Sequence, residues 1–302
     1  MSDFLQINTI SQLHQMIGYE KPKHPLITII DYSKIKRNAE HYDVKIVIGF
    51  YIISLKSPSP KSLQYGRQYY DFEEGTMMFM APGQVFTVSD FNGQTQYKGW
   101  GIYFHPDLII NTSLGKRMKD FTFFSYAVSE ALHLSESEKN ILYGISENIE
   151  KEYSGNIDQY SHDVIITAIE QLLNYSHRFY GRQFITRHKL NSDLLSNFEN
   201  LIIAYFDSND MINKGLPTVD YFATRLNLSA SYLTDLLKKE TGKTAKEYLQ
   251  IEVIERAKNR LLSSGATINE IAYSLGFEYP QYFNKLFKSK TGKTPLEYRQ
   301  MN

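Results

Sequence analysis

The chain contains no cysteine. That excludes disulfides, thiolate metal sites and cysteine nucleophiles, and it fits a reducing cytoplasm. Net charge is also absent, because 33 basic and 33 acidic residues cancel. Overall charge therefore gives no footprint of a nucleic-acid partner, and any such argument must rest on position. Long apolar runs are missing too. The longest, Ile46 to Leu55, is half a membrane span. The start, MSDFLQINTI, has neither the basic segment nor the apolar stretch of a signal peptide. A soluble cytoplasmic protein with no membrane partner is expected. What remains is ordinary for a globular protein: 42% hydrophobic and 22% charged residues over 302 positions, enough for two domains with a core each. Aromatics reach 14%, mostly Tyr and Phe, which favours strands and aromatic-lined pockets.

One phrase occurs twice. TGKTAKEYL runs from Thr241 to Leu249, and TGKTPLEYR from Thr291 to Arg299. Gly-Lys-Thr ends a phosphate-binding P-loop only when another glycine stands five positions before its last one. Leu237 and Phe287 hold those positions, and a bulky side chain there prevents the backbone from closing on phosphates. The phrase instead closes a longer repeat, residues 218–249 over 267–299, with one extra residue in the second copy. Each copy opens on a threonine placed to cap a helix, Thr218 or Thr267. Each then breaks sharply, at Asn227-Leu228-Ser229 or Gly276-Phe277-Glu278, before a second helix. Helix, tight turn and second helix is the helix-turn-helix pattern. Ala223, Leu226 and Leu228 should face Leu233, Leu236 and Leu237; Ala272, Leu275 and Phe277 should face Phe283, Leu286 and Phe287. The small alanine lets the second helix cross closely. Gly242 and Gly292 should end the second helices in left-handed caps, with Thr244 and Thr294 capping the next helices. Residues 245–262 lack proline and glycine and predict one continuous spacer helix.

Two such units on a rigid spacer predict double-stranded DNA as the partner, one second helix per major groove. The outward positions are Ser231, Thr234, Asp235, Lys238 and Lys239 in the first unit. In the second they are Pro280, Gln281, Asn284, Lys285 and Lys288. The lysines can meet phosphates, although cations near helix C-termini also serve the helix dipole in any protein.

The rest of the chain changes period twice. Residues 1 to about 125 read as strands, among them LITIIDY and VKIVIGFYIISL, with turn-rich breaks at KSPSPKS and Pro82-Gly83. A β-sandwich or small barrel is expected. Residues 128–180 turn helical. Ser135 should cap one helix through a box with Glu138, and Ile141, Leu142, Ile145 and Ile149 should share a face. A second helix from about Ile157 to Tyr180 carries Val164, Ile165, Ala168, Leu172 and Tyr175. This pair is either core packed on the strands or a dimer surface. Residues 181–193 read as a polar linker.

Ile271-Ala272, Gly276-Phe277, Tyr282-Phe283, Phe287-Lys288, Gly292, Thr294-Pro295 and Tyr298-Arg299 come in an order that resembles the AraC/XylS family of bacterial transcription regulators. The resemblance covers roughly residues 195–302. YYDFEEGTMMFMAPGQ (69–84) and KGWGIYFHPDLI (98–109) resemble, more loosely, the family's sensor domains. It implies an α+β chain. Residues 1–180 would be a cupin-like barrel (about 20–125) with dimerising helices (about 128–180). After the 181–193 linker, residues 194–302 would be an all-α DNA-binding domain with helix-turn-helix units at 218–241 and 267–291. A bacterial cytoplasmic regulator is implied, as a homodimer, with RNA polymerase a further partner where the output is activation. One departure is Asp235, an acid where relatives often carry a basic or neutral residue. It repels phosphate, though it can accept from a cytosine amino group.

A barrel raises the question of an enzyme. Metal-binding cupins use a His-x-His pair, and the eight histidines here are scattered at 14, 24, 41, 105, 133, 162, 177 and 188. His105 reads as the cap of a turn at Pro106. The family's DNA-repair relatives use a reactive cysteine, absent here. No catalytic residue, metal or cofactor is therefore expected. Tyr51, Tyr69, Tyr70, Phe79 and Trp100 would line a small-molecule effector site, or they are ordinary aromatic core. The N-terminal half thus either senses a small molecule or only dimerises or receives a partner protein.

Overall fold

The structure, a computed structural model, describes residues 4–35, 45–57, 75–87, 98–127, 130–155, 158–186, 188–208, 211 and 214–300. It divides into two units, Met1–Thr186 and Arg187–Asn302.

In the first unit, β1 (Phe4–Ile7), β3 (Lys45–Ile48) and β6 (Val85–Thr87) form a three-stranded sheet. β1 runs parallel to β3 and β6 antiparallel to it. The second sheet is antiparallel, in the order β2 (Ile27–Asp31), β7 (Lys98–Phe104), β4 (Tyr51–Ser57), β5 (Thr76–Met80), β8 (Leu132–His133). The chain passes from one sheet to the other between β3 and β4, where the Gly49 N–H donates to the Ile7 carbonyl at 2.8 Å. Ile7, Ile46 and Ile48 from the small sheet share a core with Ile30, Ile52 and Tyr32. The Tyr32 hydroxyl donates to Ser54 Oγ at 2.6 Å and lies 3.3 Å from the Tyr103 hydroxyl. Burial raises the pKa of both phenols, so they stay neutral donors.

The expected barrel is corrected: among the described residues no strand pairing joins the two sheets, so no ring closes and nothing here is specifically cupin-like. Short alternating strands are the signature of stacked sheets and of barrels alike, because alternation does not encode which edges pair. Two short helices also stand where strands were expected. α1 (Ile10–Met16) starts on a capping box between Thr9 and Gln12, and α2 (Ser113–Arg117) on Thr112. Seven residues or fewer give too few turns to reveal a helical period. KSPSPKS after Ser57 and most of QVFTVSDFNG lie outside the described residues.

α3 (Glu136–Ser154) begins at Ser135, whose hydroxyl accepts from the Glu138 N–H while the Glu138 carboxylate returns to the Ser135 N–H. Its buried face is Leu142, Ile145, Ile149 and Tyr153; Ile141, expected to join them, is 39% exposed. The Tyr153 hydroxyl accepts from the N–H of Ile29 on the edge strand β2, at 2.9 Å. α4 (Ser161–Thr186) buries Ile165, Ile169, Leu172, Ser176, Phe179 and Gln183, and leaves Val164 exposed. The segment read as a polar linker is helical to Thr186 and again from His188. One of its polar side chains is buried and bonded: Gln183 accepts from the His133 N–H at 2.8 Å and donates to the Ala131 carbonyl at 3.3 Å.

The second unit is all helix: α5 (His188–Asp207), α6 (Val219–Arg225), α7 (Ala230–Thr241), α8 (Ala245–Ser263), α9 (Ile268–Ser274), α10 (Pro280–Thr291) and α11 (Pro295–Arg299). Side-chain caps set most of the starts, from Thr218, Ser229, Thr244, Thr267 and Thr294. Gly242 (φ 74°) and Gly292 (φ 77°) end α7 and α10 in the left-handed conformation, as their sequence positions predict. α8 is one unbroken helix and touches α6, α7, α9, α10 and α11.

Gly276 differs from the other positive-φ glycines of this unit. At φ 80°, a Cβ there would lie 2.7 Å from the Gly215 carbonyl carbon, whereas one at Gly292 would meet nothing within 4 Å. Gly276→Ala is expected to lower the Tm of the chain clearly more than Gly292→Ala, which carries only the left-handed penalty of about 1–2 kcal/mol. Equal shifts in thermal unfolding of the two variants would refute the close packing.

Candidate nucleic-acid interface

The two helix-turn-helix units use one backbone solution. After α6 the Leu228 N–H returns to the Ala223 carbonyl at 2.9 Å; after α9 the Phe277 N–H returns to Ala272 at 3.1 Å. The residue before each donor sits in the left-handed region, Asn227 at φ 56° and Gly276 at φ 80°. Ala223 and Ala272 are buried at the crossings. Leu233, Leu236 and Leu237 fill the first unit, with Leu226 and Leu228 half-buried and Phe222 buried as well. Leu275, Phe277, Phe283 and Phe287 fill the second. Leu286, expected inside, is half-buried.

The presented faces are unequal. On α10, Gln281, Asn284, Lys285 and Lys288 are all exposed, and Pro280 is half-buried at the first helical position. On α7, Lys238 and Lys239 are exposed, but Ser231, Thr234 and Asp235 are half-buried. The Thr234 hydroxyl also donates to the Ala230 carbonyl at 2.8 Å, which turns it back onto its own helix. Counting from the buried pairs Leu233/Phe283 and Leu237/Phe287, Asp235 stands where the second unit has Lys285.

Two exposed aromatics belong to this face and were not among the expected contacts. Tyr282 is 60% exposed and Tyr279 is 49% exposed. Tyr232, at the place equivalent to Tyr282, is buried. The helical wheel does not give this difference, since 232 and 282 fall at the same angle from the stripes set by Leu233 and Leu237 or by Phe283 and Phe287.

The repeated TGKT phrase is structural. Thr244 and Thr294 each accept from the N–H three residues on, and Glu247 and Glu297 accept from the threonine N–H in return. Thr267 and Glu270 make the same box at α9. Those backbone hydrogen bonds hold all three carboxyls below the usual carboxylate range, with lysine charges helping at Glu247 and Glu297.

Three aromatic candidates of the first unit are described: Phe79 and Trp100 are buried and Tyr51 is half-buried. Tyr51 stacks on Phe104 at 5.0 Å, and Phe79 packs against Phe123 at 4.4 Å and Phe124 at 5.5 Å. Trp100 is buried with its indole N–H unpartnered among the described residues. The strand register puts all three on one sheet face, the face that meets Phe123, Phe124 and Tyr180 of the covering segments. Tyr69 and Tyr70 lie outside the described residues. His105 caps the turn at Pro106, its Nδ1 accepting from the Asp107 N–H at 3.2 Å. Among the described residues no three His, Asp or Glu side chains converge as metal ligands, and no helix is long and apolar enough to cross a membrane.

A helix-turn-helix domain family matches residues 222–301. The xylose operon regulatory protein of Escherichia coli K12 is 36% identical over 84 residues, which is 28% of this chain and 21% of that protein. The bifunctional transcriptional activator/DNA repair enzyme AdaA of Bacillus subtilis is 35% identical over 107 residues, 35% of this chain and 49% of AdaA. The chain therefore spans about a fifth and about half of these two relatives. Among solved structures, the C-terminal domain of the two-component response regulator yesN from Fusobacterium nucleatum is 31% identical, with 34% of this chain and 93% of that one covered and a TM-score of 0.30.

The capping boxes make an acid-side prediction. A carboxyl depressed by folding contributes stability that is present above its unfolded pKa, near 4.5, and lost as pH falls through its folded value. Stability should therefore decline as pH is lowered below about 4.5, and the triple variant Glu247→Gln, Glu270→Gln, Glu297→Gln should decline less steeply, since glutamine keeps the acceptor without the titration. Urea titrations across that range test it; parallel slopes would remove the boxes from the acid response.

Proposed function

We propose that this chain, whose C-terminal unit belongs to the AraC/XylS family of helix-turn-helix domains, is a sequence-specific DNA-binding transcription regulator. The observation that carries the proposal is α10: a helix backed by buried Phe283 and Phe287 and ended by Gly292, whose Gln281, Asn284, Lys285 and Lys288 all stand open to solvent. In a major groove, Gln281 suits adenine and Lys285 guanine. Lys238, Lys239 and Lys288 suit phosphates, which position the domain without reading sequence. Ser231, Thr234, Asp235 and Pro280 complete the proposed contact set. Binding should weaken with salt, because each neutralised phosphate releases condensed counterions. The names of the relatives support regulation, and AdaA's second, repair activity has no cysteine to rest on here. No catalytic activity is proposed.

For residues 1–180 the proposal has two forms: a small-molecule effector site, or a module that dimerises or receives a protein partner such as RNA polymerase. The packing of Tyr51 and Phe79 against Phe104, Phe123 and Phe124, with Trp100 buried beside them on the same sheet face, favours the second, because it leaves these rings little free surface for a ligand. Sedimentation of the full chain, alone and with operator DNA, checks the dimer.

The two-unit geometry can be tested at the level of single bases and of spacing. On duplexes selected from a random pool by the full chain, Gln281→Ala should cost about 1–3 kcal/mol at one base pair and relax specificity there, while Lys288→Ala should weaken all sites alike. A uniform loss from Gln281→Ala would refute its role as a reader. α8, at about 1.5 Å per residue, spans roughly 28 Å and sets one fixed offset between the units. Inserting about 5 base pairs between the two half-footprints turns one of them to the opposite face of the DNA, so affinity should fall toward that of a single unit. Unchanged affinity would mean that one unit alone grips.

A further inference from the structure

Tyr282 is the residue that the recognition scheme leaves unused. It is the third residue of α10, in the first turn, where a recognition helix meets base edges. At about 100° per residue it lies roughly 60° from Lys285 on the outward arc. Its ring has little protein cover, at 60% exposed, while Tyr232 at the equivalent place is 6% exposed. The ring is also held. Tyr279 meets it edge-on, with centroids 5.8 Å apart and planes at 80°. The Tyr282 N–H donates to the Tyr279 carbonyl at 3.0 Å, and Pro280 between them fixes the backbone. An apolar ring set in advance on a polar reading face loses little entropy on binding.

We infer that Tyr282 reads the 5-methyl group of a thymine in the major groove and that Tyr279 positions its ring. The inference rests on the DNA-binding reading above. The major groove presents one apolar group among its donors and acceptors, the thymine methyl. Gln281, Asn284 and Lys285 beside Tyr282 are matched to polar base edges; an aromatic face is not. Tyr282 therefore adds a selection for A·T pairs of one orientation, which neither lysine can make. Because Tyr232 is buried, the first unit lacks this contact, and the selection belongs to the second unit's half-site alone.

The test uses the full chain and duplexes it selects from a random pool. Each thymine of a selected site is replaced in turn by deoxyuridine, which removes only the methyl group. Binding is followed by fluorescence anisotropy. For the unsubstituted protein, one replacement within the α10 footprint should weaken binding about fourfold, the worth of one buried methyl-sized group. Tyr282→Phe should keep that response, Tyr282→Ser should bind more weakly and lose it, and Tyr279→Ala should blunt it. The inference is overturned if the protein is indifferent to every replacement. It is equally overturned if the response survives in Tyr282→Ser, or if Tyr282→Phe loses affinity evenly on all duplexes, which would assign the hydroxyl to a phosphate. Failure of the DNA-binding reading looks different: no sequence is enriched, and Lys288→Ala changes nothing.

Discussion

Helix α8 is the element on which the C-terminal unit depends. Its inner stripe, Ala245, Leu249, Val253, Ile254, Ala257 and Leu261, is fully buried. Full burial of one such branched or leucine side chain contributes about 1.5–3 kcal/mol, so this stripe outweighs any single surface contact in the unit. Both ends are tied. Thr244 and Glu247 close the start. At the far end the Arg299 guanidinium donates to the Leu261 carbonyl at 3.2 Å, an acceptor that the last turn cannot satisfy itself, and to the Ala266 carbonyl in the following loop at 2.7 Å. Arg256 lies over the Phe206 ring at 4.4 Å and pairs with Asp207 at 3.3 Å, which ties α5 to the same helix. Both helix-turn-helix units pack on this one buried rod, so neither can shift without disturbing the other.

The units themselves are two answers to one steric problem. The second helix can cross closely only if the first offers an alanine and the turn enters the left-handed region. The first copy meets the second condition with Asn227, whose short polar side chain tolerates that conformation. The second copy has no such freedom. The Gly215 backbone approaches Gly276 so closely that any side chain would collide. The glycine is therefore required by packing as well as by φ, and a sequence reading sees only the latter.

That difference marks what the sequence makes legible. Caps and boxes are readable because they are local: Ser135 with Glu138, Thr244 and Thr294, Gly242 and Gly292 all act within four residues. The repeat is readable because two copies restrict each other. Sheet order is not, since β1 pairs β3 across some forty residues and alternation is indifferent to partners. Exposure is legible only halfway. Ile141, Val164 and Leu286 sit on the expected apolar faces, yet they are exposed or half-buried because the faces are wider than what covers them. Tyr232 and Tyr282 are the same residue at the same place in the repeat with opposite burial, which no local pattern distinguishes. The polar segment 181–193 misleads for the converse reason: Gln183 finds its partners in and beside β8, far away in sequence.

The contrast between α7 and α10 turns on whether charge or exposure separates them. Asp235 and Lys285 occupy equivalent places with opposite sign. For a phosphate about 7 Å away in water, that reversal is worth roughly 1.2 kcal/mol. Screening with a Debye length of about 8 Å cuts it to roughly half a kcal/mol at physiological salt. A good bidentate base contact is worth about 1–3 kcal/mol, several times more. The acid alone is thus too weak an effect to silence a helix that is otherwise able to read. Covering matters more: Ser231, Thr234 and Asp235 are half-buried, and the Thr234 hydroxyl is already engaged with Ala230. On the proposed DNA-binding reading, strength depends on which side chains the fold leaves open, and the fold leaves α10 open and α7 partly closed.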